Sequence, residues 1–280
     1  MKVLILGGTG MAGHMIKGYF EKKTDEYEVY YTTRLPDDSR GIYLDVTDTN
    51  KLEEVIAKLR PEITINCIGI LNETAEKYPK LAFQVNSVLP HQIAKLTERY
   101  NGKLIHISTD CVFSGNKGDY TEVDQPDGTS FYAQSKQLGE IISNKHLTIR
   151  TSIIGPEKKD NGIGLFLWFM KQTGQIKGYK RVYWNGVTTL ELAKVIHSMI
   201  RNEVTGLYHL GSVQKVSKYE LLTIFKNVFN KKDVEIIADS KIALDRTIKS
   251  TRSDYNYRIP TYMEMMKELR SWMESTECDE

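Results

Sequence analysis

Seven residues near the N terminus, Gly7-Gly8-Thr9-Gly10-Met11-Ala12-Gly13, restrict the possible folds more than any other stretch of this chain. They follow directly on the apolar run Lys2 to Leu6 and precede a segment of helical pattern, so the glycines fall at a strand-to-helix junction. Glycine lets the backbone turn tightly and approach another molecule closely, while a helix N terminus offers amide donors and the positive end of its dipole. That combination suits a pyrophosphate. A plain tight turn is the other reading, and the position at the first such junction favours dinucleotide binding. Gly7, Gly10, Met11, Ala12 and Gly13 are therefore candidate cofactor contacts.

Short runs rich in β-branched residues recur along the chain: Lys2 to Leu6, Glu28 to Thr33, Ile63 to Cys67, Lys103 to Ser108, Leu147 to Arg150 and Leu207 to Leu210. Several are almost continuously apolar, as strands covered on both faces must be. Between them, Lys51 to Leu59 and Pro90 to Tyr100 repeat apolar residues at helical intervals with charges opposite. The alternation predicts an α/β fold, a doubly wound parallel (Rossmann) sheet. After Arg150 the rhythm loosens through Gly155-Pro156 and a charged run, Glu157 to Asp160, before an aromatic-rich helix at Leu165 to Lys171. Residues 1–155 are read as the dinucleotide-binding domain, completed by 180–212, with 156–179 and 213–280 forming a smaller C-terminal substrate domain.

The bulk properties narrow the function classes. In 280 residues, 38 Lys and Arg face 36 Asp and Glu, so there is no electrostatic case for nucleic acid or for an anionic membrane. The run Val3 to Leu6 is too short for a signal-peptide core or a membrane span. Cys67, Cys111 and Cys278 are odd in number and widely separated, which fits neither a disulfide framework nor a metal site and points to a reducing cytoplasm. The six histidines have no metal spacing, and no Gly-x-Ser-x-Gly elbow is present, so no metal and no such hydrolase is expected. The polar end, Glu274 to Glu280, is expected to fray.

The second strand ends in Thr32-Thr33-Arg34, where a site for NAD would place an acidic residue against the ribose 2′-hydroxyl. Arg34 pairs instead with a 2′-phosphate, or is an ordinary surface arginine. NADPH is favoured, with NADH still possible. Asp45 and Val46 are placed at the adenine edge, and Cys67, Ile68 and Gly69, at the end of a further strand, along the dinucleotide. A strand-end turn is the alternative for both segments.

Tyr132 and Lys136 lie one helical turn apart, so both project from one face. An ammonium beside a phenol favours phenolate, which predicts a tyrosine pKa lowered from its usual ~10 toward a range useful for proton transfer. The pair alone is weak. Upstream, Ser108-Thr109-Asp110 ends a strand with hydroxyls at the sheet edge that faces the cofactor, and the two motifs together are far more specific.

At this point the chain resembles the extended short-chain dehydrogenases/reductases, and within them the dTDP-4-dehydrorhamnose reductase group with its relatives acting on UDP-linked 6-deoxy-4-keto sugars. The resemblance covers nearly the whole chain and rests on the glycine turn, Ser108 to Gly115, Tyr120-Thr121-Glu122 and Tyr132 to Glu140. It implies that Tyr132 donates a proton, that Lys136 holds the nicotinamide ribose and tunes Tyr132, and that Thr109 hydrogen-bonds the substrate oxygen. It puts Asn86 near the cofactor, and Asp110, Val112 and Arg246 beside a nucleotide-sugar substrate, Arg246 at the diphosphate or else in a solvent salt bridge. Tyr183-Trp184-Asn185-Gly186 offers an aromatic wall and an amide to a sugar or base, with ordinary core as the other reading of Trp184. A homodimer is one option for assembly.

Two departures bear on the reaction. Cys111 stands where sugar-nucleotide dehydratases of this superfamily carry a glutamate, and Arg34 stands where epimerases carry an acidic residue. Reduction of a nucleotide-linked keto sugar by NADPH fits better than epimerisation, dehydration or a non-catalytic cofactor-binding subunit. The segment after Arg150 also lacks the tryptophan expected of close rhamnose-pathway reductases, so rhamnose itself is not implied.

Overall fold

The computed structural model describes residues 1–159 and 162–277. Asp160 and Cys278, with the last two residues of the expected frayed end, lie outside them. Twelve strands and ten helices are described: β1 (Lys2–Leu6), α1 (Met11–Glu21), β2 (Glu28–Thr33), β3 (Ile42–Tyr43), α2 (Thr49–Leu59), β4 (Ile63–Asn66), α3 (Asn72–Lys77), α4 (Pro79–Ala82), α5 (Leu89–Glu98), β5 (Lys103–Thr109), α6 (Phe131–Leu138), β6 (Leu147–Thr151), β7 (Ile153–Ile154), α7 (Leu165–Lys171), β8 (Gly174–Trp184), β9 (Val187–Thr188), α8 (Thr189–Arg201), β10 (Gly206–Leu210), β11 (Val216–Ser217), α9 (Lys218–Val228), β12 (Val234–Asp245) and α10 (Tyr262–Glu277). A π-helical turn at Phe83–Val88 joins α4 to α5.

Seven strands form one sheet in the order β10-β6-β5-β4-β1-β2-β3, every pairing parallel. The alternation within β1 shows why. Val3 and Ile5 enter one core with Ile16 and Phe20 of α1 and Val195 and Met199 of α8, while Leu4 and Leu6 enter a second with Leu52, Ile56, Leu89 and Ile93. Both faces of the sheet are thus covered by helices, which is what a doubly wound parallel sheet requires. The chain leaves β1 toward β2 on one side and takes β4 on the other, so the crevice beyond the ends of β1 and β4 is the topological switch point.

The smaller lobe is built on a three-stranded sheet, β11-β8-β12, with α9 packed against β8 and β12. Phe166 and Phe169 of α7 meet Phe225 of α9 edge-on or tilted, and supply much of its core. The return to the main sheet comes later than the sequence predicts. Residues 180–184 stay in β8, paired with β12 and β11, and the crossing begins at β9, α8 and β10. A solvent-facing stretch such as Lys180-Arg181 has no apolar run to mark which sheet it joins. Among the described residues no helix is long and apolar enough to cross a membrane.

Candidate active site

The glycine turn is shaped by close backbone approach. Gly7 has φ +80°, in the left-handed region, and its amide donates to the Thr32 hydroxyl at 3.0 Å. A Cβ on Gly13 would lie 2.1 Å from the Gly7 carbonyl oxygen, so only glycine lets α1 start this near the turn. A Cβ on Gly7 would lie 2.9 Å from the Ile68 side chain, which places Ile68 across the switch point from the turn. Met11 is half-buried and Ala12 buried at the start of α1. The cradle therefore has the narrowness and the free helix N terminus that a dinucleotide pyrophosphate needs.

The other candidate cofactor residues divide into two groups. Arg34 and Asp45 are exposed, and Val46, Cys67 and Gly69 are half-buried around the crevice. The backbone and hydroxyl of Thr47 donate to Asp45 and hold its carboxyl below the usual range, with Arg34 adding to the effect. Burial pushes the Cys67 thiol up to about 12, so it is a small apolar surface rather than a nucleophile. Asn86 is committed elsewhere and Thr33 only in part. The Thr33 hydroxyl accepts from the Leu35 amide at 3.0 Å. Asn86, fully buried, accepts from the Ile70 amide and donates to the Ile70 carbonyl and the Ser135 hydroxyl. It ties the loop after β4 to α6, and has no free group for a cofactor.

The catalytic candidates converge. Ser130 caps α6 by accepting from the Ala133 amide at 3.1 Å, and this fixes Tyr132 in the first turn and Lys136 one turn on. The Thr109 hydroxyl, at the end of β5, accepts from the Cys111 amide at 3.1 Å and donates to Asp110 at 3.2 Å. Tyr132 is half-buried and, with Cys111 and Arg246, lines a cavity of about 640 Å³ that also meets Glu73 and Glu76 of α3. Lys136 is buried beneath, donating to the Ile107 carbonyl at 2.7 Å.

The expected lowering of the Tyr132 pKa is reversed. Burial raises it, Cys111 and Asp110 add to the rise, and only the Thr109 hydroxyl opposes. Desolvation of the phenolate dominates, and Lys136, whose Nζ donates to the Ile107 carbonyl, is not among the groups that lower it. Tyr132 is accordingly held as a phenol, the form that donates a proton. Lys136 is brought down to about 8, chiefly by burial, with Glu140 and Cys67 resisting.

Of the substrate candidates, Arg246 lines this cavity, and Asp110, accepting from Thr109, directly precedes Cys111, which lines it. Burial raises the Asp110 carboxyl pKa, and Lys218 and Arg246 counter it. Arg246 is steered by its Nε donating to the Phe113 carbonyl at 3.0 Å. The other three are structural. Val112 is fully buried with Phe113, Tyr120 and Ile248. Trp184 is 4% exposed, its indole nitrogen donating to Ser152 at 2.9 Å and its ring tilted on Tyr262. Asn185 donates to the Ser212 and Ile248 carbonyls and accepts from the Ile248 amide, so all of its amide is spent on clamping backbone.

The family model for the RmlD substrate binding domain matches residues 1–275. The chain belongs to that family. Among curated relatives it is 29% identical over 222 residues to the dTDP-4-dehydrorhamnose reductase of Salmonella typhimurium, covering 75% of this chain and 72% of that protein. It is 24% identical over 246 residues to methionine adenosyltransferase 2 subunit beta of Xenopus tropicalis, covering 82% and 72%. The fold is that of the dTDP-4-dehydrorhamnose reductase of Bacillus anthracis, solved in complex with NADP, with a TM-score of 0.82 at 23% identity over 97% of this chain and 99% of that one.

In this member of the RmlD family one residue of the site, Lys218, escapes a reading of the sequence. It opens α9, where Ser217 and Glu220 form a capping box, and it brings a second cation to Asp110 and Cys111 from the smaller lobe. Burial lowers its pKa to about 8. Its ammonium lies 5.5 Å from the Trp184 ring centroid. The only signal in the sequence is a Ser-x-x-Glu cap, which marks a helix start and says nothing of what its first residue faces. Among the described residues no group of acidic, His and Cys side chains is arranged to hold a metal ion.

Proposed function

We propose that this chain is an NADPH-dependent oxidoreductase that reduces the ketone of a nucleotide-linked 4-keto-6-deoxyhexose, on a dTDP or UDP carrier, for cell-surface polysaccharide precursors. The observation that carries the reading is the single turn of α6 that sets Tyr132 into the cavity and Lys136 against β5, with Thr109 alongside. NADPH, held at the glycine turn, along Ile68 and at Arg34, supplies a hydride when bound. Tyr132, kept as a phenol, protonates the oxygen of the carbonyl being reduced, and Thr109 hydrogen-bonds that oxygen. Arg246 and Lys218 meet the anionic nucleotide from the smaller lobe, and the guanidinium suits a diphosphate. The reaction is assigned to the cytoplasm, in keeping with free Cys67 and Cys111.

Cys111 in place of the glutamate of an Asp-Glu pair disfavours dehydration. A second reading, a non-catalytic cofactor-binding subunit, is favoured by the similarity to methionine adenosyltransferase 2 subunit beta. Incubating the protein with NADPH and a panel of dTDP- and UDP-linked 4-keto-6-deoxy sugars separates the two. Loss of NADPH absorbance with one of the panel supports the reductase. Inertness toward every sugar, with NADPH still bound, supports the subunit.

A further inference from the structure

Behind Lys136 lies a side-chain pair that the proposed chemistry does not use. His106 of β5 is fully buried, and Asn66, its register partner at the end of β4, is buried with it. The His106 ring is engaged at both nitrogens, with Nδ1 at 3.2 Å from Asn66 Nδ2 and Nε2 at 3.4 Å from Lys136 Nζ. The orientation of the Asn66 amide is set at its other end, where Oδ1 accepts from the Ile68 backbone N–H at 3.1 Å. Nδ2 therefore faces the ring, and Nδ2 has only protons to offer. His106 Nδ1 must be the acceptor, and the proton of a neutral imidazole then sits on Nε2.

The Nε2–H bond points at Lys136, whose Nζ already donates to the Ile107 carbonyl. An ammonium has no lone pair with which to accept from Nε2–H, whereas an amine has one. We propose that Asn66 and His106 are positioning residues that set the proton state of Lys136: Asn66 fixes His106 as the Nε2–H tautomer, and His106 then offers Lys136 a hydrogen bond that only the uncharged amine accepts. The same arrangement links this tautomer to the cofactor side of the cleft, because the Ile68 amide that orients Asn66 belongs to the residue facing Gly7.

The surroundings agree. Burial and the Lys136 charge hold His106 well below its usual range, with His91 of α5 adding to the effect, so the ring stays neutral. Around Lys136 itself, Glu140 beyond α6 and Cys67 beyond β4 favour the ammonium, and Tyr132 shares its helix. His106 is the neighbour that favours the amine. Its effect on turnover rests on the reductase reading: after Tyr132 gives up its proton the phenolate is reprotonated from the Lys136 ammonium, and the resulting amine, held by His106, regains a proton from water.

The test needs neither NADPH nor a sugar, so its failure is distinct from failure of the reductase reading. Protein labelled with nitrogen-15 at histidine and lysine is studied by NMR without cofactor, the His106 signals being assigned through their loss in His106→Gln or through backbone connectivities. The expected result is an Nε2-protonated, Nδ1-accepting imidazole that stays neutral at neutral pH, its titration displaced well to the acid side of an ordinary histidine. Asn66→Asp keeps an acceptor for Ile68 but presents only acceptors to the ring, which forces Nδ1–H and turns Nε2 toward the ammonium. It should raise the Lys136 midpoint by about one pH unit, roughly 10-fold in the equilibrium, beyond the rise that the same carboxylate causes in a His106→Phe background, where its charge acts with no ring nitrogen to switch. A wild-type His106 protonated on Nδ1 overturns the proposal, whether or not the variant folds, and so does a Lys136 midpoint unmoved in a folded Asn66→Asp protein.

Discussion

The two walls of the cleft are built in different ways. One is the edge of the parallel sheet, where the glycine turn, Ile68, Thr109 and Lys136 follow or abut the ends of β1, β4 and β5. The other brings Lys218 and Arg246 from segments distant in the chain, on a lobe whose sheet mixes parallel and antiparallel pairs, to face Cys111 just beyond β5. Each wall carries a lysine brought to about 8 by burial, Lys136 on the first and Lys218 on the second. In the proposed reaction the first wall handles hydride and proton, a chemistry that varies little, and rests on rigid repeating structure. The second meets the variable sugar nucleotide and is made of the ends of elements and the turns beside them. Mutations should split accordingly.

The largest effect should come from the first wall. Tyr132→Phe removes the proton donor and little else, so kcat should fall ~10²- to 10⁴-fold while NADPH affinity stays within about 3-fold. Steady-state rates and calorimetric titration check the two halves separately. A variant that loses NADPH binding as well would make Tyr132 part of the cofactor cradle and blur the division.

On the second wall, Arg246→Ala and Lys218→Met should raise KM for the sugar nucleotide about 10- to 100-fold and leave NADPH binding alone. Lys218 also predicts a pH dependence. A lysine brought down to about 8 is charged below that pH and loses its charge as pH rises through it, so KM should climb above about pH 8. Lys218→Arg, which stays charged, should flatten that climb. A KM that rises identically in both proteins would assign the titration elsewhere.

The smallest effect concerns the outer end of the first wall. Arg34→Ala should weaken NADPH about 10-fold more than NADH, because only NADPH offers a phosphate to the guanidinium. Equal weakening of the two in binding titrations would remove Arg34 from the cofactor site.

The same division governs what can be read from the sequence. The six strands of the main sheet that the sequence outlines are legible because burial on both faces demands unbroken apolar runs, and α6 because Tyr132 and Lys136 sit on one helical face. β3, two residues long, has no run to reveal it. The second wall resists reading, since a lysine opening a helix looks like any other among 38 basic residues. Trp184 and Asn185 mislead for a physical reason: an indole and an amide suit a ligand, yet they equally suit a junction where backbone carbonyls of Ser212 and Ile248 would otherwise be buried unpaired. The Tyr132 pKa is misjudged from sequence because charge proximity is visible there and desolvation is not.

Net reduction is the central claim, and the fate of the hydride decides it. The protein should be incubated with NADPH deuterated at the transferable position and with whichever nucleotide-linked 4-keto-6-deoxyhexose it accepts, and the product examined by mass spectrometry and NMR. A reductase consumes one NADPH for each alcohol formed and leaves deuterium on the former carbonyl carbon, and this is the expected result. Conversion of the sugar with no net loss of NADPH and no deuterium in the product would contradict it, and would make the protein an epimerase or dehydratase that returns its hydride.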